Sequence, residues 1–317
     1  MIRASSPGKL VVAGAFVVLE GAPGVGLAVS PRLALALIDD AAQGWPVADP
    51  FARAALLAVG LDPAHPPPLA VRSGFPIPVA GWSLGSSAAH MTALVAALSR
   101  WSGRPLVGRD LLVASRNAHR EAQGGVGSGL DVACCALGGV AVLRPGSGRS
   151  PPEPARMAWP DPLGVVVVRS PVSEGTPDRV RRYLRQAANP SDAGARARLV
   201  NAVQALIDSL IIGEGVLESL AEVGVREAEW LAGVAPDLAP VALPAVAATL
   251  ASFVDRGFVA VKSLGAGDAV GVFLDRGRLS EGEILEAMDR AGLPARALAP
   301  DAIGTVTGSG SGMPPAR

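Results

Sequence analysis

A glycine- and serine-rich loop in the first half of the 317-residue sequence has the residue types that bind a phosphate group. Such a loop needs inward-pointing backbone N–H groups, little side-chain bulk and a helix that begins directly behind it. Gly85 permits close approach, and the hydroxyl groups of Ser86 and Ser87 suit either Mg²⁺ or plain helix capping. The complete candidate loop comprises Ser83, Leu84, Gly85, Ser86, Ser87 and Ala88. It lacks the Gly-Lys-Ser/Thr ending of a conventional P-loop, so helix capping stays open as an alternative.

A carboxylate, a lysine and a second glycine-rich turn accompany this loop. Asp131 follows the turn GVGSGL at the start of an apolar stretch, where it could serve as a base or cap a helix. Lys9 lies at the beginning of the first apolar run, where a solvated surface charge is the alternative interpretation. The segment KSLGAGDAVGVF near the C-terminus is also compatible with an ordinary turn between two strands, or between a strand and a helix. Each signal is weak alone.

Hydrophobic patterning predicts the elements that would position these residues. Broken runs rich in Val and Leu predict β-strands at the N-terminus. Further strands are predicted at LAVRSGFPI, GGVAVLRP, LGVVVVRSP and FVAVKSLG. Helical spacing predicts helices at 49–60, 88–101, 110–123, from 132 onward, and at 176–188, 193–220, 226–231 and 240–256. Residues 146–161 are rich in Pro, Gly and Arg without periodicity, which indicates a loop or crossover. The chain is therefore mixed α and β.

Composition excludes several classes of partner. Half of the residues are hydrophobic and 18% are charged, which is enough apolar chain for a large core. The 28 basic residues balance the 28 acidic ones, so no overall charge favours nucleic acid or an anionic membrane. Cys134 and Cys135 are adjacent, and neighbouring cysteines rarely bridge, which indicates reduced thiols in a cytoplasmic protein. We expect neither a signal peptide nor a membrane span, because no apolar run is long enough.

The order, spacing and local sequence of these segments together resemble the three motifs of the GHMP kinases. PGKLVVAGAFVVLEG resembles the first motif, PVAGWSLGSSAA the second and KSLGAGDAVGVF the third, so the resemblance covers nearly the whole chain. It implies an α+β, two-lobed GHMP kinase fold. The N-terminal mixed α/β lobe, with the ATP loop, would span residues 1–160, and the C-terminal ferredoxin-like α+β lobe residues 161–305. Residues 306–317 are expected to form a disordered tail.

Within this family, AHREAQGGVGSGLDVACCALGG is similar to the corresponding stretch of phosphomevalonate kinases. The small residue Ala15 in the first motif agrees with that similarity, whereas mevalonate kinases usually carry Pro-Ser-Gly before the acid. The resemblance implies ATP and Mg²⁺ as cofactors and a small phosphorylated acceptor as partner, in a monomer or a homodimer. A mevalonate kinase, a diphosphomevalonate decarboxylase and a non-catalytic ligand-binding member of the same fold remain alternatives.

The resemblance also implies roles for individual residues. Residues 83–88 would hold the ATP phosphates, and Mg²⁺ would contact Ser86 or Ser87 and Glu121. Asp131 and Lys9 would be catalytic. The carboxylate would accept the proton of the attacking phosphate or orient that phosphate, and the lysine would keep Asp131 ionised and steady the transferred phosphoryl group. The residues expected to contact the acceptor are Gly14, Ser128, Ser173, Thr176, Gly265, Ala266 and Gly267.

Basic residues other than Lys9 are assigned less specific parts. An arginine of one predicted helix could reach an anionic group of the acceptor, and the candidates are Arg179, Arg181 and Arg182. None of the three histidines is assigned to catalysis, because their spacing suits no metal site; they are His65, His90 and His119.

Overall fold

The computed structural model describes residues 1–40, 44–46, 48–76, 82, 84–144, 154–171, 176–187, 193–265 and 269–309. The strands in these ranges are β1 (Ile2–Ala13), β2 (Gly24–Asp39), β3 (Leu69–Gly74), β4 (Val140–Leu143), β5 (Ala155–Met157), β6 (Leu163–Arg169), β7 (Val259–Leu264), β8 (Ala269–Asp275), β9 (Ala295–Leu298) and β10 (Val306–Ser309). The helices are α1 (Pro50–Ala58), α2 (Ser86–Trp101), α3 (Gly108–Ala122), α4 (Leu130–Leu137), α5 (Thr176–Gln186), α6 (Ala193–Ile212), α7 (Val216–Val234), α8 (Leu243–Thr249), α9 (Ala251–Val254) and α10 (Glu281–Arg290).

Two antiparallel sheets organise the molecule, which confirms the predicted α+β class. The first sheet has the order β10-β1-β2-β4-β5, with β3 also paired to β2. Its centre is the long β1–β2 pair, whose register shifts between Pro7 and Gly8 and again between Val11 and Ala13. The second sheet has the order β7-β8-β6-β9. The two candidate motifs at the chain's ends, in β1 and in the β7–β8 turn, thus belong to different sheets.

Helices α2 and α4 pack on the first sheet, and α3 packs against these two helices. Helix α2 is rich in alanine, and most of its side chains from Ala88 to Ser99 are buried. Small side chains let this helix be surrounded on all sides by other elements at close packing distance. The predicted helix at 88–101 is therefore confirmed, and its N-terminus lies at a fixed place beside β1.

The second sheet is buried on both faces. Along β6, Val165 and Val167 pack into the core shared with α6 and α7, while Val166 and Val168 pack against α8 and α10. This alternation follows from the two-residue period of a strand. The same shared core includes Val25 and other residues of the first sheet, so the two sheets are joined through one apolar interior.

Several expected elements differ from those in the structure. The helix expected over 193–220 is broken into α6 and α7, because Gly213 and Gly215 adopt left-handed φ angles of 84° and 67° that end a right-handed helix. The helix expected over 240–256 is likewise divided between α8 and α9 at Leu250. Within the stretch expected to be a loop, residues 155–157 form β5, which pairs with β4.

The predicted disordered tail at 306–317 is wrong for its first four residues. These residues form β10, which pairs with residues 2–5 of β1 and satisfies the backbone groups on that edge of the sheet. Residues 310–317 lie outside the described part of the chain. The predicted lobe boundary at residue 160 stays a prediction.

Two further sequence-based expectations concern the cysteines and the membrane. Cys134 and Cys135 are both free and fully buried in α4. Burial raises the pKa of the Cys135 thiol to about 12, so this group is protonated and unreactive at neutral pH. Among the described helices, none is both long and apolar enough to cross a membrane.

Candidate active site

The glycine loop packs directly on β1. The backbone N–H of Lys9 donates a hydrogen bond to the carbonyl oxygen of Leu84 at 2.9 Å. Gly85 has a left-handed φ of 69°, and a Cβ atom there would lie 2.3 Å from Cε and 2.6 Å from Cγ of Lys9. The lysine stem therefore fills the space that any side chain at position 85 would need. Ser83, the first residue of the predicted loop, lies outside the described residues.

The N-terminus of α2 offers backbone N–H groups to an anion. The helix begins at Ser86 with Gly85 as its N-cap, and none of the described side chains caps it. The first N–H groups of a helix have no intrahelical partner and carry positive partial charge, so they favour a phosphate oxygen. Ser86 is exposed, Ser87 is half-buried and Ala88 is fully buried. Among the described residues of this loop, serine capping, the alternative interpretation, does not occur.

Asp131 lies in the first turn of α4, whose N-cap is Gly129. Its Oδ1 accepts a hydrogen bond from the backbone N–H of Val132 at 2.9 Å, and its side chain is 27% exposed. Asp131 thus presents a partly exposed, charged acceptor toward the space in front of α4.

Lys9 and Asp131 line one cavity beside the glycine loop. The described residues that line it are Lys9, Val11, Ala15, Phe16, Val18, Leu19, Gln123, Val126, Gly127, Ser128, Leu130, Asp131, Val180, Leu264 and Gly265. Lys9 and Asp131 form no ion pair of 4.0 Å or shorter within the described structure. Any electrostatic support of Asp131 by Lys9 therefore acts across the cavity rather than through direct contact.

The third glycine motif reaches the same cavity. Gly265 follows β7, has a left-handed φ of 51°, and donates its N–H to the carbonyl oxygen of Val11 at 3.0 Å. The segment therefore connects two strands, β7 and β8, which was one of the two alternatives left open. Ala266 and Gly267 lie outside the described residues.

Other predicted site residues have varied positions. Ser128 lines the cavity, and its Oγ accepts a hydrogen bond from the N–H of Leu130 at 3.3 Å. Gly14 is not among the described lining residues; a Cβ atom there would lie 2.4 Å from the carbonyl oxygen of Pro23, so this glycine serves a tight backbone turn. Thr176 begins α5, and Ser173 lies outside the described residues.

The predicted metal and anion ligands are less well placed. Glu121 is exposed on α3 and is not among the described lining residues. The described part of the chain contains no group of three His, Cys, Asp or Glu side chains placed to hold a metal ion. On α5, Arg179 donates to the carbonyl of Leu238. The exposed Arg181 donates to Asp178, and the half-buried Arg182 donates to Asp237.

Two residues at the C-terminal end of α3, His119 and the C-cap residue Gln123, were not predicted as site residues from the sequence. His119 is 3% exposed, and its Nε2 lies 3.3 Å from Oγ of Ser87, 3.2 Å from Nε2 of Gln123 and 4.0 Å from Oδ2 of Asp131. The edge of its ring faces Phe51. The i, i+4 spacing of His119 and Gln123, just before the glycine turn, is the sequence pattern that could have indicated their proximity.

The wall formed by the first motif is anchored to three helices. Phe16 stacks on Tyr183 of α5 with ring centroids 4.7 Å apart, and the Tyr183 hydroxyl donates a hydrogen bond to Glu20. Arg196 of α6 donates to the other oxygen of Glu20 at 2.7 Å, and Trp230 of α7 donates to the Tyr183 hydroxyl. Burial, and then the bond to Glu20, raise the pKa of Tyr183, so this phenol stays protonated.

Parts of the chain are similar in sequence to known kinases. Residues 45–139 match the GHMP kinases N terminal domain. The mevalonate kinase of Aeropyrum pernix is 31% identical to this chain in an alignment of 169 residues, which covers 45% of this chain and 51% of the relative. The chain thus spans about half the length of the curated relative it matches.

Solved structures extend the likeness to nearly the whole chain. The Lin0012 protein from Listeria innocua has a TM-score of 0.79 and 17% identity, over 98% of this chain and 99% of its own. The Streptococcus pneumoniae phosphomevalonate kinase, in complex with phosphomevalonate and AMPPNP, has a TM-score of 0.75 and 15% identity, over 94% and 100%. The Methanococcus jannaschii mevalonate kinase has a TM-score of 0.70 and 12% identity, over 95% and 98%.

These likenesses show the fold of the GHMP kinases. Residues 45–139 are in addition similar in sequence to the N-terminal domain of the GHMP kinases. Mevalonate kinases, a phosphomevalonate kinase and a homoserine kinase all share the fold, so the fold alone does not select an acceptor.

Proposed function

We propose that this chain is an ATP-dependent phosphotransferase that phosphorylates a small acceptor in the cavity between Lys9 and Asp131. One observation carries the proposal, namely that three distant motifs meet there. The Lys9 stem packs on Gly85, Asp131 lines the same cavity, and Gly265 bonds to the backbone of Val11. Phosphoryl transfer requires positioning and neutralised charge more than covalent chemistry, and these residues supply both.

The residues of the glycine loop fit an ATP phosphate group. The uncapped N–H groups at the start of α2 would bind phosphate oxygens, and the Lys9 ammonium beside this loop would neutralise the transferred group. Bound Mg²⁺·ATP supplies the phosphoryl group and part of the charge neutralisation. Mg²⁺ keeps water and phosphate ligands, and the hydroxyl group of Ser86 or Ser87 would add one protein oxygen. Another protein of this fold is known in complex with AMPPCP and magnesium.

The expected acceptor is phosphomevalonate, which would become diphosphomevalonate. The segment that resembles phosphomevalonate kinases forms one wall of the cavity through Gln123, Val126, Ser128 and Asp131. The pneumococcal phosphomevalonate kinase, whose complex contains phosphomevalonate, has the same fold. A phosphate acceptor has a second pKa of about 6 and is already ionised at neutral pH, so Asp131 would position it more than deprotonate it.

Mevalonate is the second candidate acceptor. Among the described residues that line the cavity, Lys9 is the only cation, and an alcohol acceptor with one carboxylate needs less positive charge than a phosphorylated one. The 31% identity to a mevalonate kinase points the same way. With an alcohol acceptor, Asp131 would take the hydroxyl proton as a general base.

Asp131→Asn tests the proposal directly. We expect turnover to fall by about 10²-fold or more, the usual contribution of a positioned acid or base, while AMPPNP binding stays within twofold. Asp110→Asn is the matched control, because Asp110 is also a first-turn carboxylate but is exposed on α3. Steady-state kinetics and calorimetric titration measure the two effects. Full turnover by the Asp131→Asn protein would remove this residue from the mechanism.

A coupled ATPase screen identifies the acceptor. Mevalonate, its monophosphate, its diphosphate and homoserine are compared, with CO₂ release recorded alongside ADP. Phosphomevalonate-dependent ADP formation supports the first candidate, and mevalonate-dependent formation the second. Release of CO₂ from the diphosphate indicates a decarboxylase, and nucleotide binding without turnover on any compound indicates a binding protein.

A further inference from the structure

Gln123 is a polar residue of the cavity wall, and its side chain is oriented by His119, a residue that does not line the cavity. Its amide nitrogen faces Nε2 of His119, and its carbonyl oxygen lies on the side of Gly127, another lining residue. A Cβ atom at Gly127 would be 3.7 Å from that oxygen. Within the described structure, no donor bonds to the Gln123 carbonyl, so a hydrogen-bond acceptor is left available at the wall.

His119 holds this orientation because it is fixed from three helices. It is buried on α3, close to the hydroxyl of Ser87 on α2 and the carboxylate of Asp131 on α4. A ring so enclosed cannot turn freely, and the amide that contacts it is therefore pre-organised. The same ring contacts the phosphate loop through Ser87, so one side chain connects that loop to the cavity wall.

The chemistry of the wall defines what Gln123 can bind. Most described lining residues are apolar, and Lys9 and Asp131 carry the charges. A neutral carbonyl among them binds a neutral donor, and the donor that a small metabolite most readily offers is a hydroxyl group. A deoxy analogue leaves this half-buried carbonyl acceptor without a donor, which costs affinity, so the carbonyl discriminates hydroxylated acceptors from their deoxy forms.

We propose that Gln123 binds a hydroxyl group of the acceptor through its side-chain carbonyl, and that His119 is the positioning residue that orients this amide. The inference rests on the proposed function, since it assumes that the acceptor occupies this cavity. It assigns Gln123 to acceptor selectivity and leaves phosphoryl transfer to Lys9 and Asp131. His119 acts on acceptor binding through Gln123 and on the nucleotide loop through Ser87.

The test measures equilibrium binding, which needs no turnover. Calorimetry on the full chain saturated with AMPPNP compares phosphomevalonate with its analogue in which hydrogen replaces the tertiary hydroxyl. We expect the wild-type protein to prefer the hydroxylated compound about tenfold, the effect of one hydrogen bond to a partly buried group. Gln123→Leu should bind both compounds equally, with AMPPNP affinity within twofold of wild type. His119→Asn should lose the same preference and also weaken AMPPNP binding.

Two further variants make the comparison secure. Gln123→Met has the same length without polar atoms and replaces Gln123→Leu if that protein does not fold. Gln204→Leu is the matched control, because Gln204 also bonds one helical turn away, to Asp208, but on α6 outside the cavity wall. It should keep the full preference for the hydroxylated compound.

The outcomes separate this inference from the proposed function. A Gln123→Leu protein that keeps the wild-type preference overturns the inference. AMPPNP binding by the wild type without binding of either acceptor also overturns it, while the nucleotide site stands. Binding of both compounds with the expected preference but without phosphorylation supports Gln123 as the hydroxyl contact and overturns the proposed function alone.

Discussion

Lys9 and Gly85 occupy complementary space, and this contact decides how the ammonium group meets the phosphate loop. Because position 85 has no side chain, the lysine stem lies flat against the loop backbone. The hydrogen bond from the Lys9 N–H to the Leu84 carbonyl holds β1 and the glycine loop side by side. The charge is thereby held beside the uncapped end of α2, where an ATP phosphate would sit.

Gly85→Ala should separate the conformational role of this glycine from its role in the lysine contact. Gly103 provides the matched control: it follows the other end of α2, has a left-handed φ of 75°, and has open space where a Cβ atom would be added. Both substitutions place a side chain in the left-handed region, which costs about 1–2 kcal/mol. Only Gly85→Ala must displace Lys9, so only this variant should also lose turnover, by about tenfold or more.

Chemical denaturation and steady-state kinetics measure the two effects. Equal losses of turnover in the Gly85→Ala and Gly103→Ala proteins would show that the lysine contact does not matter for the reaction. Wild-type turnover in both would have the same meaning.

At the scale of elements, a buried ion pair joins α7 to β7 directly before the third glycine turn. Nζ of Lys262 lies 2.9 Å from Oε2 of Glu227, and the two side chains are 1% and 4% exposed. Lys262 also donates to the carbonyl of Ser263, whose hydroxyl donates to Glu227. Burial makes both charges depend on each other, because an unpaired charge in the interior is costly. The ion pair therefore holds the C-terminal end of β7 in place, and with it Gly265.

Lys262→Met should destabilise the fold by about 3–5 kcal/mol, because Glu227 is left as an uncompensated buried charge. The double variant Lys262→Met/Glu227→Leu should recover most of that loss, since apolar residues of similar size replace a buried pair well. Arg226→Met is the control: it breaks exposed pairs on the same helix and should leave the midpoint of unfolding nearly unchanged. Urea unfolding measures all three. A single variant as stable as the double one would contradict the argument.

The sequence predicted those elements whose hydrophobic pattern is complete within the element itself. The apolar pattern of α2 and the Val-rich runs of β6 required no knowledge of the rest of the chain. The break between α6 and α7 was missed because glycine within a helical pattern is tolerated in many helices, and only the left-handed φ of Gly213 and Gly215 decides the outcome. The strand β10 was missed because its partner, β1, lies about 300 residues away.

The difference between local patterns and tertiary contacts also explains which site residues were predicted from the sequence. The glycine loop, Asp131 and Lys9 were predicted because their residue types and order resemble family motifs. His119 was not, because its role depends on Ser87, which lies 32 residues away, and on a helix packing that no local pattern specifies. Phe16 and Tyr183 likewise meet only through the tertiary fold.

At the scale of the whole molecule, β1 contacts α2, α4 and β7, the elements that carry the glycine loop, Asp131 and the third glycine motif. It carries Lys9, accepts the bond from Gly265, and leads into the anchored wall around Phe16. Its first residues pair with β10, and the segment before β10 is held by Arg32, which donates to Asp301 and to the carbonyl of Gly304. Strand β10 thus braces β1, the strand on which the site is built.

Removal of β10 tests this bracing. A chain that stops after Thr305 loses the four residue pairs between β10 and residues 2–5 of β1, whereas a chain that stops after Ser309 keeps them and serves as the control. At about 1 kcal/mol for each backbone hydrogen bond, the shorter chain should lose roughly 2–4 kcal/mol of its free energy of unfolding. It should also associate on size-exclusion chromatography, because the β1 edge becomes unpaired. Because Lys9 lies beyond the paired residues, AMPPNP affinity at low temperature should change less than twofold; equal stability of the two truncated chains would show that β10 does not brace β1.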